Sequence, residues 1–490
     1  MHPAGDSSTR NRLKQAARDV LSLSVLTAFA VGVNGYHYGI EDMAVYLPAI
    51  KKLLHPSLYP LDANFFLLYI RLTSFHQIVA NVVRVSHLPL EWVSFLWYIA
   101  SIFLLLFGAL RLVRRCFASP AAHWAGVSLL AALLTMPVAG TALFIVDQHM
   151  HPRTTATAFL LLALVDVLAW RPVTLLWIFL AGICHPTMAF YGTFHIAVLG
   201  LARPLSADTA ALASIPFGIP ANPIWREVMS RRTFQYPFKW PWYEWLGVAA
   251  PLGFMIHFAT IAAREGAPVL TRVCRRMILS TVIGTIAALT LTEGFETQTW
   301  ARLEPMRILH LFYVVFVVVF GGFIGRYLLR ERWLRWCMVF VPLSILMFSF
   351  QRMEFSSSHH IEWPVAQPKN LWVQAFVWAS HNSPTDALFA FDPKYMSRSG
   401  EDYYGFRGFA ERSAFADNSK DPSVVEVFPD LAWQWKLETD AIANWNRFSL
   451  ADFKRLKRDY HISWVVVEQP GVSGLICPYS NSAVEVCEIP

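Results

Sequence analysis

Two adjacent carboxylates, Glu41 and Asp42, follow an apolar run over 21–40. An acidic pair at a membrane edge must hold water, a cation or a proton. It is also where a membrane enzyme would keep a general base for a lipid-borne substrate. A carboxylate partly removed from water has a raised pKa and can take a proton from a hydroxyl. The plainer alternative is a helix N-cap, since Asp42 precedes a helical pattern over 44–54 and its side chain can accept a backbone N–H there. A second constellation, His149, His151 and Arg153, lies in the run DQHMHPRTT. A guanidinium fork bonds two phosphate oxygens at once. This run could therefore meet an anionic headgroup or a pyrophosphate leaving group; otherwise it is an interfacial turn facing water.

Three further groups could add to such a site. His185 stands in the middle of an apolar segment, in AGICHPTMAFYG. An ionisable residue at that depth is a site candidate, against the reading of a neutral histidine bonded to backbone freed by Pro186. Glu293, Glu296, Arg302, Glu304 and Arg307 crowd TEGFETQTWARLEPMRILH. Arg302 and Arg307 are favoured there as phosphate ligands over the glutamates. Arg226, Arg231, Arg232 and Lys239 place positive charge beside aromatic residues, which suits a lipid phosphate and, equally, headgroup snorkelling. Asp166 reads as a structural polar contact. No cofactor signature occurs; a divalent cation on Glu41 and Asp42 is the one inorganic ligand the pattern could take.

The elements that must position these residues are membrane helices. The chain has 490 residues, a mean hydropathy of +0.40, 55% hydrophobic and 15% charged residues, where a soluble chain would carry about 25% charged. Nine spans are expected, over 20–38, 90–111, 122–146, 155–170, 173–200, 246–263, 277–292, 307–325 and 336–350. No small-residue cleavage pattern follows the first, so it is read as retained. Arginine clusters at 10–18, 111–115, 264–276 and 326–335 fall on one side if 173–200 crosses once. By the positive-inside rule that side is cytoplasmic. The expectation is a multi-pass plasma (inner) membrane protein with a cytoplasmic N-terminus. Two interfacial helices, over 43–54 and 63–85, fill the first outer loop.

Residues 1–350 hold 28 Lys+Arg against 16 Asp+Glu, and residues 351–490 hold 13 against 18. This asymmetry divides the chain into a basic membrane domain, 1–350, and a mildly acidic domain, 351–490. The basic excess reflects loops next to anionic lipid, not nucleic acid. In the tail, 387–391 and 462–468 read as strands and 448–460 as a helix, a parallel α/β unit; 483–489 reads as an edge strand. None of the six cysteines has metal-ligand spacing. Cys477 and Cys487 could close a disulfide if the tail is extracytoplasmic.

This arrangement resembles the GT-C superfamily of membrane glycosyltransferases. The resemblance rests on a first span followed by the acidic pair in NGYHYGIEDMAVYLPAI, two interfacial helices, many spans and an outward α/β domain. WASHNSPTDALFAF and FRGFAERSAFADN are also similar to the start of the extracytoplasmic domain of oligosaccharyltransferase catalytic subunits. The acceptor-reading Trp-Trp-Asp-Tyr-Gly motif of those subunits is absent, and Phe391-Asp392-Pro393 occupies its region, so peptide N-glycosylation is not implied. The resemblance implies that Asp42, with Glu41 as the near alternative, is the acidic residue that serves the chemistry by deprotonating an acceptor hydroxyl, and that the donor is a polyprenyl-phosphate-type lipid-linked sugar in contact with membrane lipid. The rivals are a transporter or flippase using His185 and Asp166, and a non-catalytic scaffold binding lipid-linked glycans.

Overall fold

The computed structural model describes residues 5–201, 222–293, 300–395, 402–418 and 420–490. The membrane part runs α1 (Gly5–Asn34), α2 (Met43–Leu54), α3 (Asn64–Leu67), α4 (Phe75–Ser86), α5 (Leu90–Cys116) and α6 (Pro120–Ala132). A hairpin of β1 (Pro137–Val138) and β2 (Leu143–Phe144) follows, then α7 (Pro152–Val167), α8 (Val173–Cys184), α9 (Pro186–Gly200) and α10 (Pro223–Ser230). The part closes with α11 (Trp242–Arg264), α12 (Pro268–Glu293), α13 (Ile308–Phe323) and α14 (Trp333–Glu354).

Six described helices are long and apolar enough to cross a membrane: α1, α5, α11, α12, α14 and the run Ala301–Leu329 that contains α13. The pair Asn64–Arg71 and Phe75–Ser86, bent by 94°, would be a seventh if it is one span. The expectation of nine therefore needs correction over 122–200. The apolar stretch 122–146 is the 13-residue α6 followed by the hairpin. At 16 residues α7 falls short of the ~20 a span needs, and nearly all of it is buried by protein. Apolarity in these stretches reflects burial against other helices.

Segment 173–200 breaks at His185-Pro186 and does not cross once. Arg276 donates to the Leu201 carbonyl at 3.4 Å, so α9 ends at the level of the 264–276 arginines. The chain is nevertheless back on the other face by α10, where the Trp225 indole donates to the Val425 carbonyl at 3.1 Å. The basic clusters share one face as the charge pattern implies. Arg114 meets Asp19 at 2.6 Å, Arg326 meets Glu265 at 2.8 Å, and Arg111 meets Asp166 at 2.7 Å. Asp166 also accepts from the Trp177 indole at 3.0 Å, the structural contact expected of it. The first interfacial helix has the expected bounds. The second is broken because the Thr73 hydroxyl turns to the Ile183 and Cys184 carbonyls, at 2.9 and 2.7 Å.

The tail comprises α15 (Leu371–Asn382), β3 (Leu388–Phe391), α16 (Phe406–Ala410), β4 (Ser413–Ala414), α17 (Asp421–Val427), α18 (Ala432–Ala441), α19 (Leu450–Tyr460), β5 (Trp464–Glu468), β6 (Ile476–Ser480) and β7 (Val484–Glu488). Its sheet has the order β4-β3-β5-β7-β6. The expected parallel unit is there, with Phe389 opposite Trp464 and Phe391 opposite Val466. The last strand is not at the edge. β7 lies between β5 and β6, both antiparallel to it, because the final residues fold back as a hairpin that the Cys477–Cys487 disulfide crosslinks.

Membrane part and tail share their packing. Ala44 of α2 belongs to the tail's aromatic cluster with Trp372, Phe376, Phe389 and Phe406. Arg407 is buried, ion-paired to Asp62 from the segment between α2 and α3 and to Asp421 at 2.8 Å. Gly405 donates its N–H to the Gly39 carbonyl at 3.1 Å, and a Cβ there would fall 2.4 Å from the Ala44 Cβ. Only glycine lets the two backbones approach so closely. Gly405→Ala should thus destabilise the docked tail by ~1–3 kcal/mol, read as a lower thermal midpoint with faster proteolysis of the tail. Gly253→Ala, where nothing lies within 4 Å of the added carbon, should leave both unchanged.

Candidate active site

The acidic pair stands beyond the end of the first span. α1 stops at Asn34, and an extended stretch follows, held by single bridges from Tyr36 to Ile361 and from Ile40 to Tyr404. The tail therefore fixes where the pair sits. Glu41 adopts φ +49°, an uncommon left-handed conformation for a non-glycine residue, and its N–H donates to the Tyr403 carbonyl at 3.2 Å. Asp42 occupies the N-cap of α2, yet its side chain makes no capping bond. Its carboxylate accepts instead from His151 Nε2–H at 3.0 Å. His151 Nδ1 accepts the Arg153 N–H at 2.9 Å, which leaves Nε2 as the protonated nitrogen. On its other side the pair meets Lys420, brought by the tail. The ammonium is ion-paired to Glu41 and lies 3.7 Å from Asp42 Oδ1.

Four predicted residues share a local origin. Asp42, His151, His185 and Arg307 are the N-cap residues of α2, α7, α9 and α13. Each helix begins near the site, so four positive dipole ends gather there. His185 caps α9 through a long contact from the Met188 N–H, 3.4 Å. Its ring stacks 6.3 Å from that of His151, and Arg307 approaches its Nε2 to 3.4 Å. It thus serves both the broken backbone and the site.

Asp42 and Arg307 face a cavity of roughly 880 Å³, walled on one side by the β1–β2 hairpin and lined also by Glu41, His149, Arg153 and Arg232; His151, a predicted substrate ligand, lies behind Asp42 and lines neither this cavity nor the next. A smaller pocket of roughly 130 Å³ shares Asp42, Arg232 and Arg307 with it and adds His185 and Arg302. The large cavity's wall holds five acidic and five basic side chains. Most are already matched. Arg153 bonds both oxygens of Asp147 at 2.7 and 2.8 Å, Arg307 pairs with Glu304, and Arg232 lies 2.7 Å from Glu426 of the tail.

Electrostatics correct one expectation. Burial alone would raise the Asp42 carboxyl, but the His151 hydrogen bond and the charges of Lys420, His151 and Arg153 outweigh it and hold the pKa well below the ordinary carboxylate range. With 39% of its side chain open, Asp42 is a charged group at a cavity wall. Asp147 follows the same pattern; burial opposes its charge, yet Arg153 brings it down to about 2. Burial lowers His149 to about 3 and depresses His151, so both imidazoles are neutral near pH 7. His149 is buried, and neither of its ring nitrogens has a partner among the described residues.

The remaining predicted residues divide. Arg302 reaches only the smaller pocket, donating to the Val427 carbonyl at 3.4 Å and covering the Trp225 ring at 5.4 Å. Arg231 lines neither cavity and does not meet the expectation of a substrate ligand. It is half-exposed, pairs with Glu227 at 3.0 Å and lies over Trp435, because successive residues of the turn after α10 point opposite ways. Glu296 and the Glu293 side chain lie outside the described residues. Glu304, ranked below its neighbouring arginines, lines both cavities at φ +48°. Lys420, Asp147 and Glu426 were not anticipated. Asp147 had a signal, being an acid six residues before the arginine it holds.

No protein-family model matches the sequence, and no curated protein matches it. Among solved structures, the archaeal oligosaccharyltransferase AglB from Archaeoglobus fulgidus, in complex with an inhibitory peptide and a dolichol-phosphate, superposes with a TM-score of 0.42 at 11% identity, over 92% of this chain and 69% of that one. The apo form of the Archaeoglobus fulgidus oligosaccharyltransferase gives 0.44 at 10% identity with the same coverage. A superposition at this level assigns no activity, and the chemistry rests on the residues.

The depressed Asp147 fixes a pH dependence. Its contribution to stability is complete above the unfolded carboxylate pKa, near 4, and is lost as pH falls toward about 2. That contribution is about 2 kcal/mol. Denaturant titrations from pH 5 to 2 should show stability falling with acid, with a shallower slope in Asp147→Asn.

Proposed function

We propose that this chain is a membrane glycosyltransferase that moves a sugar from a polyprenyl-phosphate-type lipid donor to an acceptor hydroxyl. The supporting observation is that one cavity gathers an ionised carboxylate, three arginines and the N-terminal ends of α2, α7 and α13, with that of α9 at the adjoining smaller pocket. Helix N-termini favour anions. The cavity also lies on the face opposite the basic clusters, which the positive-inside rule makes extracytoplasmic.

In this reading the donor's phosphate enters among Arg232, Arg307 and the helix termini. The arginines exchange their carboxylate partners Glu426 and Glu304 for phosphate oxygens. The acceptor oxygen attacks the anomeric carbon as the C–O bond to phosphate breaks, with inversion. The phosphate leaves with the bonding pair, and its growing charge is met by the arginines. Asp42 takes the acceptor's proton. It is a weak base at rest, so transfer comes late, when the attacking oxygen has become acidic by bonding to carbon. His151 orients the carboxylate. Closing such a cavity to water limits hydrolysis of the donor.

A second reading draws on the depressed Asp42 and the matched charges of the wall, which equally suit a non-catalytic receptor for lipid-linked glycans. Asp42→Asn separates the two. For a transferase, turnover of a polyprenyl-phosphate sugar in reconstituted membranes should fall by about 10²–10⁴-fold with expression and donor binding retained. A variant that still transfers the sugar at the wild-type rate would sink the catalytic reading. Because Asp42 is held well below the ordinary carboxylate range and His149 is lowered to about 3, neither group should impose a pH dependence on the wild-type rate between pH 6 and 8.

A further inference from the structure

An acidic pair on a cavity wall invites a divalent cation, but the donors at this site do not fit one. Asp42 Oδ2 is taken by His151 Nε2–H at 3.0 Å, and His151 Nδ1 is occupied by the Arg153 N–H. Neither nitrogen of His151 therefore has a lone pair to give, and His149, whose ring nitrogens are unpartnered among the described residues, does not converge with the carboxylates into a set of three ligand atoms. The remaining face of the pair meets the Lys420 ammonium, paired to Glu41 and 3.7 Å from Asp42 Oδ1. Among the described residues, the one group of three His, Cys, Asp or Glu ligand atoms that converges closely is Cys477, Glu485 and Cys487, where the sulfurs are joined in a disulfide.

We propose that Lys420 is the resident cation of the Glu41/Asp42 pair, standing where a divalent metal would otherwise bind, and that the tail completes the site by delivering it. The inference rests on the transferase reading only for the role of Asp42; the charge substitution stands on the geometry. Lys420 is suited to the place. Its side chain is 14% exposed, and its own N–H is held by Asp417 Oδ1 at 3.0 Å. Burial works against the ammonium, yet Glu41, Asp42 and Asp417 hold its pKa above the usual lysine value. The charge is therefore permanent at any physiological pH. Lys420 acts as a positioning residue, since it anchors the carboxylates and touches the cavity wall. A divalent ion arriving beside it would meet like charge at contact distance.

The test uses the full chain in detergent micelles with Mn²⁺ as the probe, followed by electron paramagnetic resonance and by thermal midpoint. Wild type should show no saturable Mn²⁺ binding. Lys420→Met should bind Mn²⁺ and be stabilised by it, whereas Lys420→Arg should behave as wild type. Adding Glu41→Gln to Lys420→Met should abolish the acquired binding while relieving the unpaired carboxylate. Stoichiometric Mn²⁺ binding by wild type that Asp42→Asn removes would overturn the proposal, and that measurement holds even if Lys420→Met fails to fold. A folded Lys420→Met that binds no Mn²⁺ would also overturn it. These binding results are independent of turnover, so an inactive or non-catalytic protein leaves the outcome readable. In a sugar-transfer assay, EDTA should leave the wild-type rate unchanged.

Discussion

The site is organised by the need to keep the Asp42 carboxylate charged inside the protein. Desolvation opposes the charge, and three contributions reverse the balance: the His151 hydrogen bond, the Lys420 ammonium and the nearby Arg153 guanidinium. Two of these partners come from the start of α7 and one from the tail, so the depressed pKa requires the segment after α1, the start of α7 and the tail to be in place together. The helix that Asp42 caps gains nothing from its side chain, which turns away to the histidine. Local stability is given up there for long-range geometry, which is the usual mark of a functional constraint.

The cavity owes its existence to helices that stop short. Between them α6, α7, α8 and α9 have 12 to 16 residues each, less than a bilayer's hydrocarbon core requires. Their ends leave a protein-enclosed space in which irregular backbone and polar termini are tolerable. The β1–β2 hairpin fills one wall of this space, and the N-termini of α7 and α13 open into it, with that of α9 at the adjoining smaller pocket. His151 and His185 stand at the starts of short helices and Arg307 at the start of α13, where positive dipole ends favour an anion.

The tail is bound to the bundle by more than contact area. Arg407 is buried between Asp62 and Asp421, Glu426 reaches Arg232, and the bridges at Tyr36 and Ile40 run from one part to the other. A buried charge left without its partner is strongly destabilising, so these pairs fix the tail's position more sharply than apolar packing alone would. The cavity wall and the tail's sheet consequently form one mechanical unit.

Composition and pattern alone determined the membrane character, the bounds of α2, the shared face of the arginine clusters, the parallel β3–β5 unit and the candidacy of Asp42, His151, Arg153 and Arg307. These follow from local signals: charge beside an apolar run, period, and residue chemistry at an interface. Tertiary structure alone decided the rest. An apolar stretch looks the same whether lipid or protein covers it, so 122–146 read as a span when it is a short helix and a hairpin. Charge at a position says nothing of direction, so Arg231 and Arg232 looked equivalent although only the second turns inward. Lys420 meets Glu41 across a separation of 379 residues, and no periodicity encodes such a pairing, because it is set by how the tail packs on the bundle.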